Sequence, residues 1–164
     1  EVIGDDLGSF IRTSKEKGSV PEDFPVPYAH TPSFVGSHIT GYDNMMKGIL
    51  STLTEGKKKE TTNGKINFIL GFDTYVNNIR ELKRILNLFG IDYTVLADNS
   101  TALDSPNTGE FVMYQGGTTL EAGADSINAE ATIALQKYST TKTMEYIAKD
   151  WKQKTAFYRP FGIR

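Results

Sequence analysis

"KINFILGFDTYVNNIRELKRILNLFGIDYTVLA", residues 65–97, decides the fold. Its first eight residues are nearly continuous in apolar character, as a strand buried on both faces requires. Asp73 or Thr74 then stands where a helix cap belongs. Val76, Ile79, Leu82, Ile85, Leu86 and Phe89 follow at helical spacing. Gly90 falls at the usual C-terminal stop, and "IDYTVLA" is a second apolar run. This order predicts a βαβ unit with a right-handed crossover into a parallel sheet.

Downstream, "DNSTALDSPNTGE" (98–110) is long for an α/β connection, where ~2–6 residues are common. "FVMYQ" (111–115) is a strand candidate, "GGTTLEAGAD" (116–125) a loop opening a helix, and "ATIALQ" (131–136) a further strand. Residues 141–152 predict a helix through Met144, Ile147, Ala148 and Trp151, and "TAFYRP" (155–160) the last strand. Upstream, "EGKKKETTNG" (55–64) is charged and turn-rich, the composition of a connection.

Residues 2–16 predict a helix with Ile3, Leu7, Phe10 and Ile11 on one packed face. Asp5 points away from that face and Asp6 lies at its border. Pro25–His30 reads as extended chain. Thr40 is placed to cap the next helix, and Asp43 three residues on makes a near capping box. Tyr42, Met45, Met46, Ile49 and Leu53 trace its apolar stripe. The expected class is α/β, a Rossmann-like or flavodoxin-like parallel sheet with flanking helices. The expected division is the end of one such domain (1–54), a linker (55–64) and a second domain (65–164) truncated at its C-terminal end.

The chain has 164 residues, 38% of them hydrophobic, and a formal net charge of −2. Acids and bases are mixed, which argues against a nucleic-acid surface. There is no cysteine, so neither a disulfide framework nor a thiolate metal site is available. No run approaches the ~20 apolar residues of a membrane span. Residues 1–12 carry three acids and no basic signal-peptide region. The expected location is cytoplasmic. The chain opens on Glu1 within a predicted helix and stops after a predicted strand, so an internal piece of a longer polypeptide is expected.

Neither G-x-G-x-x-G nor G-x-x-x-x-G-K-[ST] occurs. "LGFDTY" (70–75) is a strand–helix junction at which a helix N-terminus can hold an anion. Its single glycine and Asp73 speak instead for a helix cap. "QGGTT" (115–119) is a tight turn, or a place where backbone approaches a ligand. His30 and His38 lie eight apart with few acids nearby, which does not suit zinc. A hydrolase reading recruits Ser37, His38 and Asp43, but no G-x-S-x-G elbow is present. On composition alone Asp5 and Asp6 favour the helix dipole, and Ser33 after Pro32 is a turn residue.

Two stretches change that balance. "EVIGDDLGSFI" (1–11) and "PVPYAHTPSFVGSHITGYDNM" (25–45) closely resemble the β chains of nitrogenase component 1, the molybdenum–iron proteins. The likeness continues through "INFILGFDTYVNNIRELKRIL", "MYQGGTT" and the end of the chain. The resemblance implies an α2β2 oxidoreductase that reduces dinitrogen to ammonia. Electrons would arrive from a separate ATP-hydrolysing iron protein and pass through an iron–sulfur P-cluster at the α/β interface. It implies that Ser33 is a redox-dependent P-cluster ligand in the intact complex, and that Asp5 and Asp6 face the docking iron protein. It also implies that the cluster cysteines lie upstream of Glu1 and that the cofactor ligands belong to the α chain. No catalytic residue and no cluster is then expected for this chain alone, and isolated it is expected to be inactive. Two other readings stand beside this one. One is a β-type subunit of a cofactor-assembly scaffold or an alternative nitrogenase. The other is a free-standing flavodoxin-like module, which would show a ligand near Gly71–Thr74.

Overall fold

A computed structural model describes residues 6–31, 36–102 and 116–158. In chain order the elements are α1 (Leu7–Glu16), α2 (His38–Leu53), β1 (Ile66–Ile69), α3 (Val76–Leu88) and β2 (Tyr93–Val95). They continue with α4 (Leu120–Asp125), one 3-10 turn (Ser126–Asn128), β3 (Ala131–Ala134), α5 (Thr141–Asp150) and β4 (Lys154–Phe157). The four strands form one parallel sheet in the order β2-β1-β3-β4.

The βαβ unit forms as its sequence pattern predicts. α3 buries Ile79, Leu82 and Leu86. It ends in a Schellman arrangement: Gly90 (φ 64) donates to Asn87 O at 3.1 Å, and Ile91 donates to Leu86 O at 3.1 Å. Its start differs from expectation. Tyr75, not Asp73 or Thr74, is the N-cap residue, and it makes no side-chain cap bond. The Asp73 carboxylate instead accepts from the Tyr75 N–H and from Asn78 Nδ2, both at 2.8 Å.

Alternation along the strands gives the sheet two apolar faces. Phe68, Leu70 and Val95 pack against α3. Ile69, Leu96, Ala134 and Ile127 pack on the other face with Met46 and Leu50 of α2 and Met144, Ile147 and Trp151 of α5. Helix α2 therefore shares a core with the sheet that follows residues 55–64. That connecting segment is itself tied down: Lys59 Nζ donates to Ala129 O (2.9 Å), and the Asn63 N–H donates to Asn128 O (3.0 Å).

Other expectations need correction. The buried face of α2 runs through Asp43, Met46, Leu50 and on to Thr54. The predicted stripe was rotated from it, and Met45, Ile49 and Leu53 are half-buried at its sides. Helix α2 starts at His38 with Ser37 as N-cap residue, so Thr40 is already inside the helix. In α1, Asp6 is the N-cap and not a helical residue, and no residue of α1 is buried. Phe10, assigned to a packed face, is 71% exposed. Pro25–His30 joins no sheet, and among the described residues no strand precedes β1. The strand candidate at 111–115 lies outside the described residues. Among those described, no helix is long and apolar enough to cross a membrane.

Candidate functional site

Ser33 and Asp5 lie outside the described residues. The chain on both sides of Ser33 is described, and its anchorage defines the candidate site. Before Ser33, residues 28–31 cross the surface of α2. Gly48 permits this approach, because a Cβ there would collide with the Tyr28 carbonyl oxygen. Asn44 Nδ2 donates to His30 O at 2.8 Å. The orientation of that amide is set from the other side, where Lys142 Nζ of α5 donates to Asn44 Oδ1 at 2.8 Å. After Ser33, the chain enters α2 directly through Gly36 and Ser37. A cleft of about 900 Å3 lies here, with Tyr28, His30, His38, Asn44, Lys47 and Lys142 in its wall.

Asp43 carries the strongest polar contacts of this region, and they are not local. It is 4% exposed. Its carboxylate accepts from the Lys142 N–H (2.8 Å), the Thr143 N–H (2.9 Å) and Thr143 Oγ1 (2.7 Å). It thus caps α5, whose own N-cap residue, Thr140, makes no side-chain cap bond. The capping-box reading of Asp43 is therefore corrected: the carboxylate caps another helix 100 residues away. Beside it, the Tyr42 hydroxyl is pushed well above the ordinary tyrosine range, first by burial and then by the Asp43 charge.

These contacts leave no hydrolytic triad. Asp43 is committed to α5, Ser37 is a helix N-cap residue, and the His38 ring lies 4.6 Å from the Phe72 ring. Phe72 in turn meets Tyr42 edge to face at 6.2 Å. Tyr28 and His30 form an edge-to-face pair at 6.1 Å. Asp6 is exposed, and its carboxylate accepts from the Ser9 N–H at 3.0 Å.

The carboxyl ends of β1 and β3, where the strand order reverses, are the usual ligand position in such sheets. Here the crevice is filled by the chain itself. A Cβ on Gly71 (φ 91) would collide with Ser139 Oγ and lie 2.6 Å from Gln136 Cβ. The Phe72 N–H donates to Ser139 Oγ at 3.2 Å. This removes the geometric support for a flavodoxin-like ligand site near Gly71–Thr74. The Gly-rich turn at 116–117 has a similar explanation. Gly117 packs directly on the Asp98 carbonyl, and Thr118 Oγ1 donates to Val95 O (2.7 Å) while accepting from the Asp98 N–H (2.9 Å).

The donor set sets a limit on metal chemistry. The chain has no cysteine, and among the described residues no group of three or more His, Asp or Glu converges. A serine hydroxyl is in general a single hard-oxygen donor. An iron–sulfur cluster requires several thiolates, and this sequence contains none. Sequence reasoning missed Asn44, Lys142 and the long-range role of Asp43. The one available signal was that Asp43 stands on the face that Met46 and Leu50 share.

A family model described as nitrogenase component 1 type oxidoreductase matches residues 1–164. The chain is 71% identical over 164 residues to the nitrogenase molybdenum-iron protein beta chain of Nostoc sp. (strain PCC 7120), covering 100% of this chain and 32% of that protein. It is 56% identical over 170 residues to the beta chain of the same name from Bradyrhizobium diazoefficiens, covering 99% of this chain and 33% of that protein. A solved structure described as "Nitrogenase Cp1 at pH 6.5" superposes with a TM-score of 0.85 at 38% identity, covering 94% of this chain and 33% of that one. The chain thus spans about a third of the length of these relatives.

Proposed function

The chain belongs to the nitrogenase component 1 type oxidoreductases, and from that premise we propose that it serves as part of the β chain of a molybdenum–iron protein. In the whole α2β2 assembly the activity would be reduction of dinitrogen to ammonia, with electrons from an ATP-dependent iron protein. The observation that carries this reading is 71% identity across the full chain to a molybdenum-iron protein beta chain. The partners are then a nitrogenase α chain, a second αβ pair and the iron protein. The location is cytoplasmic.

Within this reading Ser33 is a redox-dependent ligand of the P-cluster, a group that stores and passes electrons when bound. A serine alkoxide is a hard donor and suits more oxidised iron better than sulfide does. A neighbouring cation also lowers the pKa of a bound hydroxyl. The described chain before this loop is bonded to α2 at His30, and the chain after it enters α2 through Ser37. Asp5 and Asp6 belong to the surface that meets the iron protein, and the exposure of Asp6 supports this.

The test is Ser33→Ala in the full-length complex, with the oxidised metal group examined by iron spectroscopy. The expected result is altered iron coordination in the oxidised state and an unaltered reduced state. Identical oxidised-state spectra in the two proteins would refute the role of Ser33.

A further inference from the structure

We propose that Asn63 is a site of spontaneous deamidation that the fold holds closed, with the Asp125 carboxylate as its latch. Asn63–Gly64 is the single Asn-Gly step of the chain. Asparagine is a thermolabile residue, and a glycine after it leaves no side chain to obstruct the backbone nitrogen that attacks it. The reaction is intramolecular. The Gly64 nitrogen gives up its proton and attacks Asn63 Cγ, and the new C–N bond closes a five-membered succinimide. The bond from Cγ to Nδ2 breaks, and Nδ2 leaves as ammonia with the proton that Gly64 gave up. Water then opens the ring at either carbonyl, leaving aspartate or isoaspartate. Gly64 suits this chemistry. It is exposed at φ 74, and a Cβ there would meet no atom within 4 Å.

The Asn63 side chain is held against it. Its Oδ1 accepts from the Lys65 N–H at 2.9 Å, and its Nδ2 donates to Asp125 Oδ2 at 2.8 Å and to Asp125 O at 3.3 Å. The Asn63 N–H donates to Asn128 O at 3.0 Å. Both ends of the amide are thus fixed, whereas ring closure requires its face to turn toward the Gly64 nitrogen. The proton of that nitrogen is engaged as well, by Thr62 Oγ1 at 3.3 Å. The leaving group also lacks an acid. Hydrogen bonds from Asn128 and then Asn63 outweigh burial and hold the Asp125 carboxyl below its ordinary value. Near neutrality it accepts from Nδ2 and has no proton to give it. Conversion therefore waits on a local opening that frees Asn63 from Asp125. After conversion the contact cannot close again. Aspartate at 63 sets a second carboxylate against Asp125, where an amide donated before, and like charges in contact repel. Isoaspartate also lengthens the main chain between the Asn63 N–H and the Lys65 carbonyl, which accepts from the Glu130 N–H at 2.8 Å. One modified side chain thus unfastens the segment that joins α2 to β1.

The test follows aspartate and isoaspartate at residue 63 by mass spectrometry while the full-length complex stands in mildly alkaline buffer. A synthetic peptide of residues 59–66 supplies the unrestrained rate. Hydrogen exchange of the Lys65 amide, which is bonded to Asn63 Oδ1, supplies the open fraction. The expected result is conversion at least tenfold slower in the complex than in the peptide, with a slowing that matches the Lys65 protection factor within about threefold. Asp125→Ala is expected to convert at least tenfold faster than the parent. Asn63→Asp, which carries one product from the start, is expected to accelerate exchange at residues 63–65 and to leave Phe68 and Ile69 unchanged. Conversion as fast in the parent as in the peptide would overturn the proposal, and so would an Asp125→Ala variant no faster than the parent. Where Asp125→Ala also loosens Phe68 and Ile69, the parent decides alone: a slowing that matches Lys65 protection sustains the proposal, and one unrelated to it overturns it.

Discussion

Replacing Asp43 with alanine takes away the acceptor for two backbone N–H groups and one hydroxyl at the start of α5. Thr143 is fully buried, so its N–H finds no water in exchange, whereas its hydroxyl can still donate to the residue-43 carbonyl oxygen. Leaving a buried donor unpaired costs ~1–3 kcal/mol, and loss of a helix N-cap costs ~0.5–2 kcal/mol. Part of this is offset, because the variant no longer desolvates a carboxylate. The net expectation is about 2–4 kcal/mol of lost stability. Asp43→Asn keeps one oxygen for Thr143 but sets an –NH2 group against the Lys142 N–H, so about half that loss is expected. Urea unfolding followed through Trp151, the single tryptophan of the chain, measures both values. Amide exchange separates a cap from general damage: residues 142 and 143 should accelerate more than the middle of α5. Tyr42 adds a control. Burial is the larger cause of its raised pKa, so it should remain raised in Asp43→Asn. A loss below about 1 kcal/mol in the alanine variant, with no selective exchange at 142–143, would refute the argument.

Gly71→Ala should destabilise by about 2 kcal/mol or more, since it adds a Cβ at φ 91 against Ser139 and Gln136, and a urea midpoint equal to the parent's would contradict the packing described. Burial pushes the Asp98 carboxyl up, but its bonds with Lys83 and Ser100 outweigh this and hold it below the ordinary value. Its contribution to stability is therefore full above the ordinary carboxylate pKa and lost as pH falls through the depressed folded value. Lys83→Met should move that loss to higher pH, as read from urea midpoints between about pH 2 and 5. Replacing Asp5 and Asp6 together by Asn in the full complex should slow iron-protein association and flatten its salt dependence. Asparagine caps helices about as well as aspartate, so the bond to the Ser9 N–H is kept and thermal stability should hold. Unchanged association kinetics with a lower melting temperature would assign the pair a purely structural role.

The sheet and α3 were legible because the evidence for them is local. An apolar run, a 3.6-residue period and a terminal glycine each act within a few residues, and Gly90 closes α3 as its position predicts. The face of α2 was misjudged because an apolar residue precedes each buried one, and packing on α5 selects Met46 and Leu50 over Met45 and Ile49. Asp43 was misassigned for a related reason. Local capping rules supply it a partner three residues away, whereas its real partners come from α5. The packed face expected for α1 failed because periodicity shows where an apolar stripe lies and not what covers it; Phe10 is 71% exposed. Of the candidate site, the loop around Ser33 was singled out through family resemblance alone, and Ser33 lies outside the described residues. The clamp of Asn44 and Lys142 joins two segments far apart in sequence, and no local pattern announces it.

The bond between Asp43 and Thr143 also sets a timetable for biosynthesis. A ribosome adds ~5–20 residues per second, so the 100 residues between them take about 5–20 s to emerge. During that interval the nascent α2 has neither its helical partner nor the completed sheet, and the side of it bearing Met46 and Leu50 faces solvent. Parallel strands that wait on distant sequence lengthen this exposure. The nascent chain therefore offers chaperones a helix of 16 residues with an uncovered apolar side. The Asn44 amide that holds the His30 carbonyl gains its Lys142 partner only after α5 has left the exit tunnel.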